Sequence, residues 1–338
     1  MKKDKELQAL SRFKNGRIAV LGDIMLDVYL WGSVTRISPE APVPVINVQR
    51  RTSCPGGAAN VMRNLSTLTA EAEAFGVIGK DATGKELLSL MADCGINTAG
   101  IISSRDRRTT EKCRVIAGAQ QLLRADFEDT CPISDKLKNK LVRSVTTLIQ
   151  KKEIDAVIFD DYAKGTLSAN MLTEIISEAK KYGVITILDP KPKAGGVTPV
   201  SGLTLLKPNR GEAFALAGLS DPGQVNDPAE DKALAEAAEI IFKIWQPENL
   251  LISLANQGMI LYCGDAESVI IPTLAREVFD VSGAGDTVAA VATLALATGS
   301  EPEIAAKLAN RAAGIVVGKI GTAPILYDEL AAAIQQEK

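Results

Sequence analysis

Short apolar runs punctuate the chain: "RIAVLGD" (17–23), "AEAFGVIG" (72–79), "AVIFDDY" (156–162), "VITILDP" (184–190), "LTLLKPN" (203–209) and "NLLISLA" (249–255). Several are continuously apolar rather than alternating, the pattern of strands buried on both faces of a parallel sheet. Stretches with helical period lie between most of them, such as "KELLSLMADCG" (85–95), "NMLTEIISEAKKYG" (170–183) and "DKALAEAAEIIFKIW" (231–245). Gly95 and Gly183 stand just past the last periodic residue, as helix stops do. Strand alternating with helix predicts βαβ units, hence an α/β fold with a mainly parallel sheet and helices on both faces. Two segments break the rhythm. "PVPVINVQRR" (42–51) and "TTEKCRVIAGAQQLLRADFED" (109–129) alternate polar and apolar residues, which predicts antiparallel strands with one wet face. The strands at 42–51 and 109–124 are expected to pair into a small sheet that projects from the body as a lid. The turn-rich "GLSDPGQVNDPAED" (218–231) reads as an exposed loop.

The chain has 338 residues, 46% of them apolar, with a net charge of −3 and no dense basic run, which disfavours nucleic acid as a partner. Its longest apolar runs fall short of a membrane span. The N-terminal "MKKDKELQALSRFKNG" lacks the apolar core of a signal peptide, so a cytoplasmic protein with no membrane partner is expected. The five cysteines, Cys54, Cys94, Cys113, Cys131 and Cys263, include no C-x-x-C pair and support neither a disulfide framework nor a thiolate metal site. Histidine is absent. This removes Ser-His-Asp and Cys-His mechanisms and leaves Asp, Glu, Lys, Tyr or Cys as a general base, with carboxylates and phosphates as holders of a hard ion such as Mg²⁺.

Five constellations carry candidate chemistry. In "DVSGAGDTVAA" (280–290), Gly283, Ala284 and Gly285 open an apolar helix whose first N–H groups and dipole suit an anion. Asp286 at its mouth either accepts a proton or simply caps the helix. In "GDIMLD" (22–27), Asp23 and Asp27 follow the first strand, where open α/β sheets place ligands. They either accept sugar hydroxyls or serve the loop. In "CPGGAANVMRNLSTL" (54–68), Gly56 and Gly57 make a tight entry to a helix whose Asn60 either binds a polyol or serves the local backbone. In "LLKPNRGEAFAL" (205–216), Asn209 and Glu212 share one face. They either organise Mg²⁺ waters and phosphate or form a capping box. In "LDPKP" (188–192), Lys191 either neutralises phosphate or is a solvated loop lysine. No Walker G-x-x-x-x-G-K-[ST] exists, and Val288 interrupts any G-x-G-x-x-G beginning at 283.

The order of these signals resembles the ribokinase (PfkB) family of carbohydrate kinases. Gly-Gly near residue 56, N-x-x-E near 209 and D-x-x-G-A-G-D near 280 carry the likeness, over about residues 11–335. The strings "RISPEAPVPV", "PGGAANVMRNL", "QQLLRADFE", "DDYAKG" and "VFDVSGAGDTV" are similar to the members of that family that phosphorylate heptose 7-phosphates. The resemblance implies a ribokinase-like three-layer sandwich with a small β-sheet lid, about 34–56 and 98–128, in one domain over 1–338 without the adenylyltransferase that accompanies such kinases in many bacteria. It implies ATP and Mg²⁺ as cofactors and a sugar phosphate as substrate, phosphorylated on its anomeric 1-hydroxyl within ADP-heptose and lipopolysaccharide core synthesis. A homodimer through the lid is expected. Asp286 becomes the base and Gly283, Ala284 and Gly285 the anion hole. Asn209 and Glu212 become the metal and phosphate motif, holding Mg²⁺ through water. Ser253, Gly258, Asn310 and Lys191 fall on the nucleotide side. Asp23, Asp27, Gly56, Gly57 and Asn60 fall on the sugar side. Arg36, Lys112, Arg114 and Lys164 are candidates for the 7-phosphate by charge. Two strings depart from the heptose kinases: "LISLANQGM" puts Leu254 and Asn256 at polar or charged positions, and "VIAGAQQ" puts Gly118 at an arginine position. Another PfkB sugar or nucleoside kinase, or a non-catalytic sugar-binding regulator on the same fold, are the alternatives.

Overall fold

The continuous apolar runs become strands because both of their faces are covered. A computed structural model describes residues 2–118, 120–192, 198–264, 268–275 and 277–336. The expected domain limits Met1 and Lys338, and Ala119 of the lid, lie outside them. The strands are β1 (Arg17–Gly22), β2 (Ile24–Ile37), β3 (Pro44–Gly57), β4 (Glu71–Gly79), β5 (Asn97–Ser104), β6 (Thr110–Ala117), β7 (Gln120–Phe127), β8 (Ala156–Asp160), β9 (Ile185–Asp189), β10 (Leu205–Leu206), β11 (Asn249–Ser253), β12 (Met259–Cys263) and β13 (Val269–Ile271). Among the described residues they form two sheets, ordered β13-β12-β11-β10-β9-β8-β1-β4-β5 and β3-β2-β6-β7. The first sheet is parallel from β11 to β5, and β12 is reversed, pairing antiparallel with both β11 and β13.

Side chains of the central strands divide between two apolar layers. On β1, Ile18 and Val20 face one layer and Ala19 and Leu21 the other. On β8, Ala156 and Ile158 repeat the first choice, Val157 and Phe159 the second. Helices Ala58–Thr67, Ala284–Ala297 and Pro302–Val316 cover one face, and Asp135–Gln150, Ala169–Tyr182 and Lys232–Trp245 the other. This is a three-layer α/β/α sandwich. Helix Ala284–Ala297 is buried at every position from Asp286 to Leu296. An all-round apolar helix of this kind belongs in a core, so its N-terminus opens from the middle of the molecule. No described helix is long and apolar enough to cross a membrane.

The lid differs from the expected pairing. The segments 42–51 and 109–124 lie in one sheet but are not neighbours, because β2 runs between them, antiparallel to β3 and parallel to β6. The lid thus begins at residue 24 rather than 34, and β5, expected within its second segment, belongs to the central sheet. β2 escaped notice because residues 24–29 are buried on both faces and show no alternation. A single residue, Asp23, separates β2 from β1.

Asp23 is 3% exposed, and its carboxylate accepts the backbone N–H groups of Tyr162, Lys164 and Thr166 at 3.0, 2.9 and 3.2 Å. These bonds fix the loop that follows β8. Asp23→Ala leaves three donors without their acceptor, so a stability loss of about 3 kcal/mol or more is expected. Urea unfolding checks this, and an unchanged midpoint counts against the anchoring role.

Candidate active site

The carboxyl ends of the parallel strands open on one cleft of about 720 Å³, lined among others by Asp160, Tyr162, Asp189, Lys207, Asn209, Glu212 and Asp286. Helix Ala284–Ala297 begins there. Gly283, its N-cap, has φ 80°, and a Cβ at that position would lie 2.7 Å from Asn60 Nδ2. Only glycine allows both the turn and the approach. In the first turn the amides of Gly285 and Asp286 have no intrahelical acceptor, which makes this end an anion cradle. A Cβ on Gly285 would point toward Lys207 Nζ and Asp189 Oδ2, at 3.7 and 3.9 Å. The space beside Gly285 is therefore flanked by one cation and one carboxylate.

Asp286 is 3% exposed. Tyr162 donates its hydroxyl to Oδ1 at 2.6 Å, and Asn60 donates from Nδ2 to Oδ2 at 2.8 Å. Burial pushes the Asp286 carboxyl up to about 6, while the bonds from Tyr162 and Asn60 and the charge of Lys207 hold it down. Asp189 is pushed to about 7 by burial, against the pull of Lys207, whose Nζ lies 2.9 Å from Asp189 Oδ2. Asn60 itself keeps a buried Oδ1 with no hydrogen-bond partner.

On the lid side, Arg114 donates from Nη1 to Asp27 Oδ1 at 2.6 Å and lies over the Tyr29 ring. Lys112 sits beside Asp27 in the strand register, with Nζ 4.9 Å from the centre of the Tyr162 ring. Gly56 admits this arrangement, since a Cβ there would meet Asp27 Oδ2 at 2.3 Å. Gly57, at φ 56°, brings β3 against the carbonyl of Asp23. The structure thus brings Asp27, Asn60, Lys112, Arg114 and Asp286 to one region. It does not bring Arg36 there: Arg36 lies at the outer end of β2 opposite Val45, roughly 30 Å beyond Asp27 at ~3.3 Å per strand residue. Lys164 is paired with Glu128 at 2.7 Å. Gly118 turns the chain between β6 and β7 at φ 60° with open space around it.

Across the cleft, Asn209 and Glu212 form the capping box: Glu212 N–H donates to Asn209 Oδ1, and Asn209 N–H to Glu212 Oε2, each at 2.9 Å. Lys191 Nζ reaches Glu212 Oε1 at 3.0 Å. Ser253 bridges to Asn209 at the end of β11. Gly258 has φ 91°, and a Cβ would lie 2.1 Å from the Ile271 carbonyl. Asn310 donates from Nδ2 to the Pro272 carbonyl at 2.8 Å and, like Ser253 and Gly258, lines the cleft. Sequence reasoning missed Asp160, Tyr162 and Lys207. All three follow the C-terminal ends of apolar runs, so the strand-end rule applied to Asp23 and Asp27 was the signal that points to them as well.

A fold of this kind with a carboxylate at a central helix start belongs to a known class. The model of the pfkB family of carbohydrate kinases matches residues 15–328, and the chain belongs to that family, a phosphotransferase acting on a sugar hydroxyl. Among curated relatives, the bifunctional protein HldE of Trichlorobacter lovleyi is 42% identical over 94% of this chain and 62% of its own length. That of Desulfatibacillum aliphaticivorans is 41% identical over 97% of this chain and 65% of its own. The chain spans less than two thirds of the length of these relatives. Among solved structures, Escherichia coli phosphofructokinase-2 in complex with substrates and products superposes with a TM-score of 0.75 at 22% identity, covering 95% of this chain and 98% of that one. Arabidopsis thaliana ribokinase complexed with ribose and ATP gives a TM-score of 0.69 at 19% identity, covering 95% and 99%. These two likenesses establish the ribokinase-like fold.

The Tyr162 hydroxyl favours the ionised form of Asp286. Its loss in Tyr162→Phe raises the carboxyl above its present value of about 6, so a larger share is protonated on the acid side. The acid limb of the pH–kcat profile is expected to move to higher pH, with the variant further below wild type at pH 6 than at pH 8. A uniform loss across pH contradicts this role.

Proposed function

We propose that the chain transfers the γ-phosphoryl group of ATP to the anomeric 1-hydroxyl of D-glycero-β-D-manno-heptose 7-phosphate, giving the 1,7-bisphosphate and ADP. The observation that carries this is the position of Asp286, a buried and still ionisable carboxylate between the helix-start anion cradle and the cationic inner face of the lid. The two HldE relatives, similar over nearly the whole chain, support the choice of acceptor. Place in ADP-heptose and lipopolysaccharide core synthesis belongs to the same reading.

The acceptor hydroxyl gives its proton to Asp286 as its oxygen forms the bond to γ-phosphorus, and the bond from that phosphorus to the β,γ-bridging oxygen breaks to release ADP. Tyr162 and Asn60 keep the Asp286 carboxylate oriented throughout. The Gly285 and Asp286 amides and Lys207 face the charge that builds on the transferred group. Asn60 Oδ1, buried and unpartnered, offers an acceptor to a sugar hydroxyl, and Asp27 another. Lys112 and Arg114 take the distant phosphate of the sugar. Asp23, with its carboxylate on three backbone amides, positions the Tyr162 loop. Ser253, Gly258 and Asn310 shape the nucleotide side, and Lys191 meets the phosphate tail.

Mg²⁺ fits the oxygen-only donor set of Asn209 and Glu212 through water. When bound it neutralises phosphate charge. A homodimer through the lid fits the exposed Val34, Ile37 and Val48 of β2 and β3. A cytoplasmic location agrees with these small, charged substrates.

An ADP-release assay compares heptose 7-phosphate with ribose, fructose 6-phosphate and adenosine. The heptose phosphate is expected to lead by at least an order of magnitude in kcat/KM, and preference for another acceptor replaces it in this proposal. Asp286→Asn should lower kcat by about 10²–10⁴-fold with sugar binding largely kept. Lys112→Ala should raise KM for a phosphorylated acceptor several-fold and leave an unphosphorylated one unaffected. Equal effects on both acceptors remove Lys112 from phosphate binding.

A further inference from the structure

Residues 321–325 belong to no helix or strand, yet they tie several walls of the cleft together. Gly321 N–H donates to Asp280 Oδ2 at 3.1 Å, and the other oxygen of Asp280 accepts the N–H of Ser282, the residue before the N-cap Gly283. Ile325 N–H donates to Asn64 Oδ1 at 3.0 Å. Asn64 is fully buried, accepts the Thr287 hydroxyl beside Asp286, and donates to the Asn60 carbonyl one turn earlier.

Thr322 stands at the centre of this strap and is 7% exposed. Its hydroxyl shares a buried hydrogen bond of 2.9 Å with the Tyr29 hydroxyl of β2. Its carbonyl accepts Arg63 Nη1 at 2.9 Å, from helix Ala58–Thr67. Its methyl group lies against the Gly283 turn, where a Cβ on Gly283 would come within 2.7 Å of Thr322 Cγ2. A β-branched side chain is stiff at χ1, so the hydroxyl and the methyl cannot trade places without breaking the bond to Tyr29.

The two branches bear on different parts of the cleft. Tyr29 carries Arg114 over its ring at 5.2 Å, and Arg114 is bonded to Asp27. Gly283 opens the anion cradle, and a glycine has no side chain with which to fix its own backbone. The Thr322 methyl and the Asn60 amide supply the wall that it lacks. We infer that Thr322 is a positioning residue with two separable duties: its hydroxyl holds Tyr29 and with it the Arg114 arm of the lid, and its methyl holds the Gly283 turn and with it the cradle amides. The kinetic consequences rest on the kinase reading, whereas the placement itself does not.

Two near-isosteric variants separate the duties. Thr322→Val keeps the methyl and loses the hydroxyl, whereas Thr322→Ser keeps the hydroxyl and loses the methyl. With the heptose 7-phosphate as acceptor, Thr322→Val should raise KM by about 2–10-fold, the worth of one neutral hydrogen bond, and affect KM more than kcat. Thr322→Ser should lower kcat by roughly tenfold through a displaced cradle and affect kcat more than KM. Tyr29→Phe should match Thr322→Val, and the double variant should add little to either. Hydrogen exchange on the ligand-free chain reads the same placement without turnover. Peptides over 280–287 should exchange faster in Thr322→Ser, and peptides over 26–31 faster in Thr322→Val. The same KM and kcat changes in both Thr322 variants, or wild-type exchange at both peptides in the folded variants, overturn the assignment. A wild-type chain that phosphorylates no sugar removes the kinase reading, and the exchange pattern alone then decides the role of Thr322.

Discussion

Burial of the Asp286 carboxylate at 3% exposure sets the terms for the rest of the cleft. A carboxylate removed from water remains ionisable near neutral pH only where fixed donors replace the lost hydration. Those donors come from two directions. Asn60 arrives from the helix that follows the lid, and Tyr162 from the loop after β8, itself tied to Asp23. The glycine before the helix is a consequence of the same closeness, since any side chain at 283 would displace Asn60. Site and core are therefore one construction, with the helix that carries Asp286 also the most completely buried helix described.

The cleft is also electrically polarised. Beyond Tyr162, on the lid side, stand Lys112 and Arg114, partly balanced by Asp27, whereas the floor gathers carboxylates around Lys207. In the proposed reaction the anionic tail of the acceptor meets the lid and its other end faces Asp286. Opposite charge on the two walls orients a substrate before any single contact specifies it.

Much of the central body was legible in the chain. Continuous apolar runs named β1, β4, β8, β9 and β11 because parallel strands covered twice leave a direct compositional trace. The helix start at 283–286 was legible because glycine spacing next to an acid is a local pattern. Tyr162 and Asp160 were not. Their meaning depends on Asp286, more than a hundred residues away, and on a loop conformation imposed by Asp23. The lid order was hidden for a similar reason. β2 and β6 pair in parallel across three intervening strands and two helices, and nothing local in either segment specifies that partnership.

The lid is joined to the body with little slack. One residue separates β1 from β2, and β3 runs directly into helix Ala58–Thr67. Farther out, the β2–β3 ladder is interrupted twice, between Trp31 and Gly32 and between Val34 and Arg36. Such interruptions bend and twist a ribbon locally. The bends thus fall in the distal half of the ribbon, while the proximal half bearing Asp27, with Lys112 and Arg114 beside it, is an unbroken ladder. Sequence changes beyond Trp31 can therefore alter the curvature of the outer ribbon without shifting the register that sets Asp27 beside Lys112.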